Sequence, residues 1–308
     1  MSSCLSRCDL DRLMAAAGAA VWRIARAEAV SDEADTTFHE WIDGGFCASM
    51  EWLRRYPELR RDPRLLVPEA KSIIVAAFPY RHPPGSPKPR LAISAYALGR
   101  DYHDVLREKL TPVAEMCGQG SRVCVDSAPL RERYWAVRAG LGYVGRNNLL
   151  LVPGLGSMNF LGCIVTPASF EPDEPLPPAS HPCSHCKAPC VRSCPAGAIR
   201  NDSTIDARRC MAYLTIEHRG EFAPGTDLHG RVFGCDTCAL ACPANHGALP
   251  AGQPLADFAP LPTTLELTAE DVNTMSGRAF GRRFNGTPLM RARIDSLRRN
   301  LQHIKPTT

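Results

Sequence analysis

A short unbroken apolar run at 71–78 (KSIIVAAF), rich in β-branched residues, predicts a buried strand. Upstream, 20–25 predicts a first strand, preceded by a short helix over 8–18 that ends at a glycine. Beyond Asp101, Val105, Leu106, Leu110, Val113 and Met116 recur near helical spacing and predict an amphipathic helix. Residues 122–126 read as a short strand, after which Pro129 suits the first turn of a helix and Gly140 its end. Segments 148–152 and 159–166 flank a PGLGS turn and predict a pair of strands. Prolines crowd into 79–89 and 167–182, which read as extended loops or linkers. The expected architecture is α+β: a mixed α/β domain over 1–170, a cysteine-rich domain over 171–250 and a basic helical segment over 251–308.

Composition changes this picture little. With 44% hydrophobic and 22% charged residues among 308, disorder over most of the length is excluded. No stretch approaches the roughly 20 apolar residues of a membrane helix. Asp9 and Asp11 stand where a signal peptide carries positive charge. A soluble cytoplasmic protein is therefore expected, and in a reducing compartment clustered cysteines are read as metal ligands rather than disulfides.

The cysteines carry the clearest chemistry. One run is Cys183-x2-Cys186-x3-Cys190-x3-Cys194-Pro195; another is Cys235-x2-Cys238-x3-Cys242-Pro243. Two-cluster ferredoxins use C-x2-C-x2-C-x3-C-P, in which the fourth cysteine of each run ligates the other cluster. The first run carries one extra residue before Cys190, and the second has Val232 where a cysteine is due. Cys210, the other cysteine between the motifs, replaces it. The swap rule assigns Cys183, Cys186, Cys190 and Cys242 to one [4Fe-4S] cluster, and Cys194, Cys210, Cys235 and Cys238 to the second. A pair of Cys4 zinc sites is the competing reading, although zinc motifs pair two ligands with two. Cys4, Cys8, Cys47, Cys117, Cys124 and Cys163 remain as small buried hydrophobes. The formal charge of +4 counts thiols as neutral; each cluster with its thiolates adds about −2, leaving the loaded protein near neutral.

Two clusters imply one-electron transfer without naming an acceptor. The segments YALGRDYHDVLREKL at 96–110, VDSAPLRERYWAVRAGLGYVGRNNLLL at 125–151 and LTIEHRGEF at 214–222 go further. With DPRLLVPEAKSIIV at 62–75 and GCDTCALACP at 234–243, the chain resembles epoxyqueuosine reductase along nearly its whole length, in the short form without C-terminal helical repeats. The resemblance implies a cobalamin-dependent oxidoreductase that removes the epoxide oxygen of epoxyqueuosine at the tRNA wobble position. By position it makes Asp126 the proton donor and places Arg60, Ser94, Asn147, Leu150 and Leu161 along the cobalamin. It implies tRNA and an external electron donor such as flavodoxin or ferredoxin as partners, with the chain a monomer away from membranes. Where the family commonly reads GSWFFLGEI, this chain reads GSMNFLGCI at 156–164.

An Asp has an ordinary pKa of about 3.9, so donation at neutral pH requires burial beside the corrin to raise it. The plainer role for Asp126 or Ser127 is to cap the helix expected from Pro129. His103 is a candidate cobalt ligand, against a structural or solvent-facing role. Between 277 and 308, Arg278, Arg282, Arg283, Arg291, Arg293, Arg298, Arg299 and Lys305 face one acid, Asp295, which suggests phosphate contacts. Two other readings stay open: a ferredoxin-type electron carrier with an added domain, and a cobalamin-dependent reductase acting on another substrate.

Overall fold

The computed structural model describes residues 5–250 and 253–304. Helix α1 (Arg7–Ala16), closed by a Ser6–Asp9 capping box, leads into β1 (Val21–Arg26) and α2 (Asp32–Asp43). Short helices α3 (Pro57–Arg61) and α4 (Pro63–Leu66) precede β2 (Ser72–Pro79). Next come α5 (Tyr102–Cys117), β3 (Arg122–Cys124), α6 (Glu132–Arg138), β4 (Tyr143–Val144), β5 (Leu150–Leu151) and β6 (Asn159–Thr166).

Strands β1, β2, β6 and β3 form one antiparallel sheet in that order. Every residue of β2 is buried, because helices cover both sheet faces. On one face Trp22, Ile24, Ile74, Phe78 and Ile164 meet Leu10 and Met14 of α1 and Val105, Leu106 and Leu110 of α5. On the other, Ile73, Val75, Cys163 and Val165 meet Trp135, Ala136 and Ala139 around α6. Gly162 lets α5 approach closely: a Cβ there would lie 2.4 Å from Leu110 Cδ1.

Two expectations need correction. The segments around the PGLGS turn do not pair with each other. β5 pairs with β4, whereas β6 lies between β2 and β3. An apolar run specifies a strand but not its neighbour. The helix expected from Pro129 begins at Glu132, behind the non-helical Arg131. The proline-rich stretch after β6 is extended but pinned, with Asp173 accepting the Ile24 N–H at 2.8 Å and pairing with Arg7 at 3.0 Å.

Helices α7 (Pro189–Ser193), α8 (Met211–Ile216) and α9 (Thr237–Leu240) belong to the cysteine-rich part. After them α10 (Pro262–Leu265), α11 (Ala269–Thr274), α12 (Gly277–Phe284) and α13 (Arg293–Gln302) close the chain. Val272, Phe280, Phe284 and Leu297 share one core with Ile93, Ala97 and Leu98 and with Ile216 and Phe233, so the last helices fasten the other two parts together. Asn300, fully buried, donates to the Thr215 and Val232 carbonyls at 2.9 Å each. Cys47, Cys117, Cys124 and Cys163 are buried as expected, but Cys8 is exposed on α1; Cys4 and Lys305 lie outside the described residues. Among the described residues no helix is long and apolar enough to cross a membrane.

Candidate active site and cluster sites

Asp126 follows β3 in a left-handed conformation, φ 50°, which is costly for a residue with a Cβ. Its Oδ2 accepts a hydrogen bond from the Tyr102 hydroxyl at 2.8 Å and lies 3.3 Å from His103 Nε2. Asp126 does not cap α6, whose N-terminus has no side-chain cap. Asp101 does cap α5, accepting the His103 N–H at 2.9 Å, and the same Oδ1 takes the His103 Nδ1 proton at 2.7 Å. The His103 ring stacks on Tyr102 at 4.1 Å, and Tyr102 in turn stacks on Phe160 at 4.4 Å. Both imidazole nitrogens are thus turned to carboxylates, and neither is free for a metal.

The Asp126 side chain is 63% accessible, yet protein encloses it closely enough for burial to be the largest influence on its ionisation. Burial opposes its charge. Hydrogen bonds from His103 and Tyr102, with the charges of His103 and Arg291, outweigh burial and hold the carboxyl below the ordinary range. The sequence reading, which rested on burial beside a corrin, did not include these two donors. Burial likewise opposes the His103 cation, but Asp101 and Asp126 together prevail and raise the imidazole to about 9. Burial, then the Asp126 charge, pushes Glu132 up to about 8, and Glu132 Oε1 has no hydrogen-bond partner.

Of the five residues that the resemblance places along a cobalamin, Asn147 and Ser94 reach the cysteine-rich part, while the other three lie on the sheet domain. Arg60 interacts electrostatically with Glu132 and Asp126 and donates to the Arg55 carbonyl at 3.1 Å. Leu150 and Leu161 belong to the sheet face covered by α6. The Asn147 amide donates to the Cys238 carbonyl at 3.4 Å. Ser94 donates to Asp236, whose other oxygen accepts the Ala95 N–H at 2.7 Å. Arg133 grips the Asn148 side chain at 2.9 Å, linking α6 to the loop that carries Asn147. An apolar wall, an accessible carboxylate and the shielded, unpartnered Glu132 Oε1 and Asn159 Oδ1 fit a large group with a polar rim. The residues present therefore suit a corrinoid.

The eight thiols lie within electrostatic reach of one another, and Cys238 of the second proposed set also interacts with Cys190 of the first. Cys190 and Cys242 each interact with Cys183 and Cys186, and Cys190 also with Cys242. Cys238 interacts with Cys210, Cys235 and Cys194, and Cys210 with the latter two. Burial, then the neighbouring cysteines, pushes Cys238 up to about 12. Among the described residues no group of three or more His, Cys, Asp or Glu is arranged to hold a metal ion. The extra residue before Cys190 is absorbed where Ala188 adopts φ 51° and α7 begins at Pro189.

The basic C-terminal residues divide. Arg299 is buried and donates to the Gly220 carbonyl at 2.8 Å; Arg298 bonds the Val272 carbonyl at 3.0 Å. Arg291 pairs with Glu217 at 2.7 Å, and Arg283 with Asp271 at 3.4 Å. Arg278, Arg282 and Arg293 are exposed and, among the described residues, have no carboxylate partner. The charge run is thus only partly a surface, since several of its guanidiniums cap carbonyls inside the fold.

Sequence reasoning missed the Asp101–His103 contact and Asn245, whose buried amide donates to the Ala239 carbonyl at 2.7 Å and accepts the Ser157 N–H at 2.7 Å. Asp101 two residues before His103, at a helix start, was the available signal for the first; the second joins residues 88 apart and leaves none.

Two family models match: "Epoxyqueuosine reductase QueG, DUF1730" over residues 60–127, and the "4Fe-4S double cluster binding domain" over 182–245, which spans all eight cysteines. The epoxyqueuosine reductase of Gloeobacter violaceus is 37% identical over 288 residues, covering 90% of this chain and 88% of that protein. That of Pseudomonas aeruginosa is 36% identical over 290 residues, covering 87% and 77%. A crystal structure of epoxyqueuosine reductase with an epoxyqueuosine-modified tRNA-Tyr stem loop superposes with TM-score 0.82 at 29% identity, over 94% of this chain and 79% of that one. The Bacillus subtilis enzyme, with its catalytic aspartate loop swung out of the active site, gives 0.80 at 28% identity over the same shares. With a [4Fe-4S] double-cluster domain behind a covered α/β sheet, this chain belongs to the epoxyqueuosine reductase family.

Proposed function

We propose that this chain reduces epoxyqueuosine to queuosine at the wobble position of tRNA, with cobalamin bound beside Asp126 and two [4Fe-4S] clusters supplying electrons. Residues 1–170 serve as the cobalamin and substrate domain, 171–250 as the cluster domain and 251–308 as the basic helical segment. The observation that carries the reading is a chain of contacts: Arg60 and Arg133 interact electrostatically with Asp126, Arg133 grips Asn148, and the neighbouring Asn147 donates to the Cys238 carbonyl. An external one-electron donor such as flavodoxin or ferredoxin, a monomeric state and a cytoplasmic location complete the proposal.

Turning an epoxide into an alkene and water consumes two electrons and two protons. When bound, the corrinoid supplies a low-valent metal centre able to deliver electrons to carbon. Leu150 and Leu161 would offer it an apolar wall, and Arg60, Ser94 and Asn147 polar contacts. Asp126, fixed by Tyr102 and His103, is placed to pass protons to the departing oxygen. Cys183, Cys186, Cys190 and Cys242 hold one cluster, and Cys194, Cys210, Cys235 and Cys238 the other.

The test is anaerobic purification, iron and cobalt analysis, and conversion of epoxyqueuosine in tRNA. Both metals and turnover are expected, and Asp126→Asn should retain the metals and abolish turnover. Iron without cobalt would return the chain to a ferredoxin-type carrier; cobalt without conversion would point to another substrate.

A further inference from the structure

The reaction consumes two protons, but Asp126 is ionised at neutral pH and carries none at rest. The missing proton source touches it. His103 points Nδ1 at Asp101, 2.7 Å away, and Nε2 at Asp126, 3.3 Å away. Both neighbours are acceptors, so both ring nitrogens carry hydrogen and the ring is an imidazolium. Its side chain is 26% accessible, so solvent can reprotonate it.

We propose that His103 is the proton store of this site: it passes its Nε2 proton to Asp126, which hands it to the departing oxygen, and Asp101 orients the ring. Each transfer moves one proton along N–H to carboxylate to oxygen, and the emptied imidazole regains one from water before the second. The proposal rests on Asp126 acting as the donor to substrate. His103 is a positioning and relay residue, because it reaches substrate only through Asp126.

The groups facing the relay come from several elements. Asp101 and Tyr102 lie at the start of α5, and the Arg107 charge acts on Asp101. Asp126 follows β3; His103, Tyr102 and Arg291 stabilise its charge. Glu132 on α6 interacts with Asp126, and Tyr96 with both Asp126 and Tyr102. Below the imidazole's value of about 9 the store is filled, and it empties as pH rises through it.

The experiment has one arm with turnover and one without. In the holoenzyme, kcat on an epoxyqueuosine-containing stem loop should stay level through neutral pH and fall above about 9. In His103→Asn it should fall at least tenfold at neutral pH and recover toward acid, where solvent protonates Asp126 directly. A uniform loss at every pH, or an unchanged profile, would overturn the relay. Independently, NMR of 15N-histidine-labelled holoprotein should show a resonance, absent in His103→Asn, that titrates near 9 and moves toward about 6.5 in Asp101→Asn. A His103 titration near 6.5 in the wild type would also overturn it, whether or not the stem loop is the substrate. A wild type that leaves epoxyqueuosine unconverted while His103 titrates near 9 would reject the substrate assignment and keep the proton store.

Discussion

Replacing Asn245 by Ala should loosen the joint between the sheet and the cluster segment. Asn245 follows Cys242 by three residues and reaches across the seam to the turn before β6. Its Oδ1 accepts the Ser157 N–H at 2.7 Å, while its Nδ2 donates to Ser157 Oγ at 3.0 Å and to the Ala239 carbonyl at 2.7 Å. Gly156, φ 79°, is required for this approach, since a Cβ there would stand 2.0 Å from Asn245 Oδ1. Alanine orphans the buried Ser157 N–H, at about 1–3 kcal/mol, and strips one of two hydrogen bonds from the Ala239 carbonyl, which keeps the Cys242 N–H at 3.0 Å, at about 1 kcal/mol. A total near 3 kcal/mol follows, or a shift of about 1 M in the urea midpoint for a slope of about 3 kcal/mol per M. Because proteins with bound clusters need not unfold in two states, the readout is the midpoint of cluster bleaching in urea under anaerobic conditions. The control is Asn273→Ala on the exposed side of α11, expected within about 0.5 kcal/mol of wild type. An Asn245→Ala midpoint indistinguishable from that control would refute the reasoning.

Cys210→Ser should remove one cluster and leave the other, so that iron falls from about eight to about four per chain; loss of no iron would reject Cys210 as a ligand. Replacing Arg278 and Arg282 together by Gln should weaken stem-loop binding and reduce the slope of log affinity against log salt by about 1–2, measured by anisotropy. The same change at Arg299, which is spent on internal carbonyls, should instead lower stability and leave the slope alone, as a thermal melt beside the salt series would show.

The double-cluster domain was legible because its chemistry is written locally, in C-x2-C spacing and Cys-Pro endings; the proposal of Cys210 rests on counting what the second run lacks. Strands β2 and β6 were legible as unbroken apolar runs, but their adjacency was not, because periodicity carries no information about partners. The proton relay lay half in view. Asp101 and His103 are two residues apart, whereas Asp126 joins them only after α5 and β3 fold together. Among the basic residues at the end of the chain, charge was legible and destination was not: Arg298 and Arg299 look the same in sequence as Arg282.

The bonds from Ser94 to Asp236 and from Asn147 to the Cys238 carbonyl attach to the stretch that carries Cys235 and Cys238, two of the thiols proposed to hold one cluster. Electron tunnelling decays exponentially with separation, so thermal swaying of one domain against another makes a transfer rate erratic. Here the sheet domain clasps the cluster's own ligand loop from two loops of its own. Under the proposed reading the last hop to the corrinoid is set by local bond lengths, and it should proceed at the same rate whether or not tRNA is aboard.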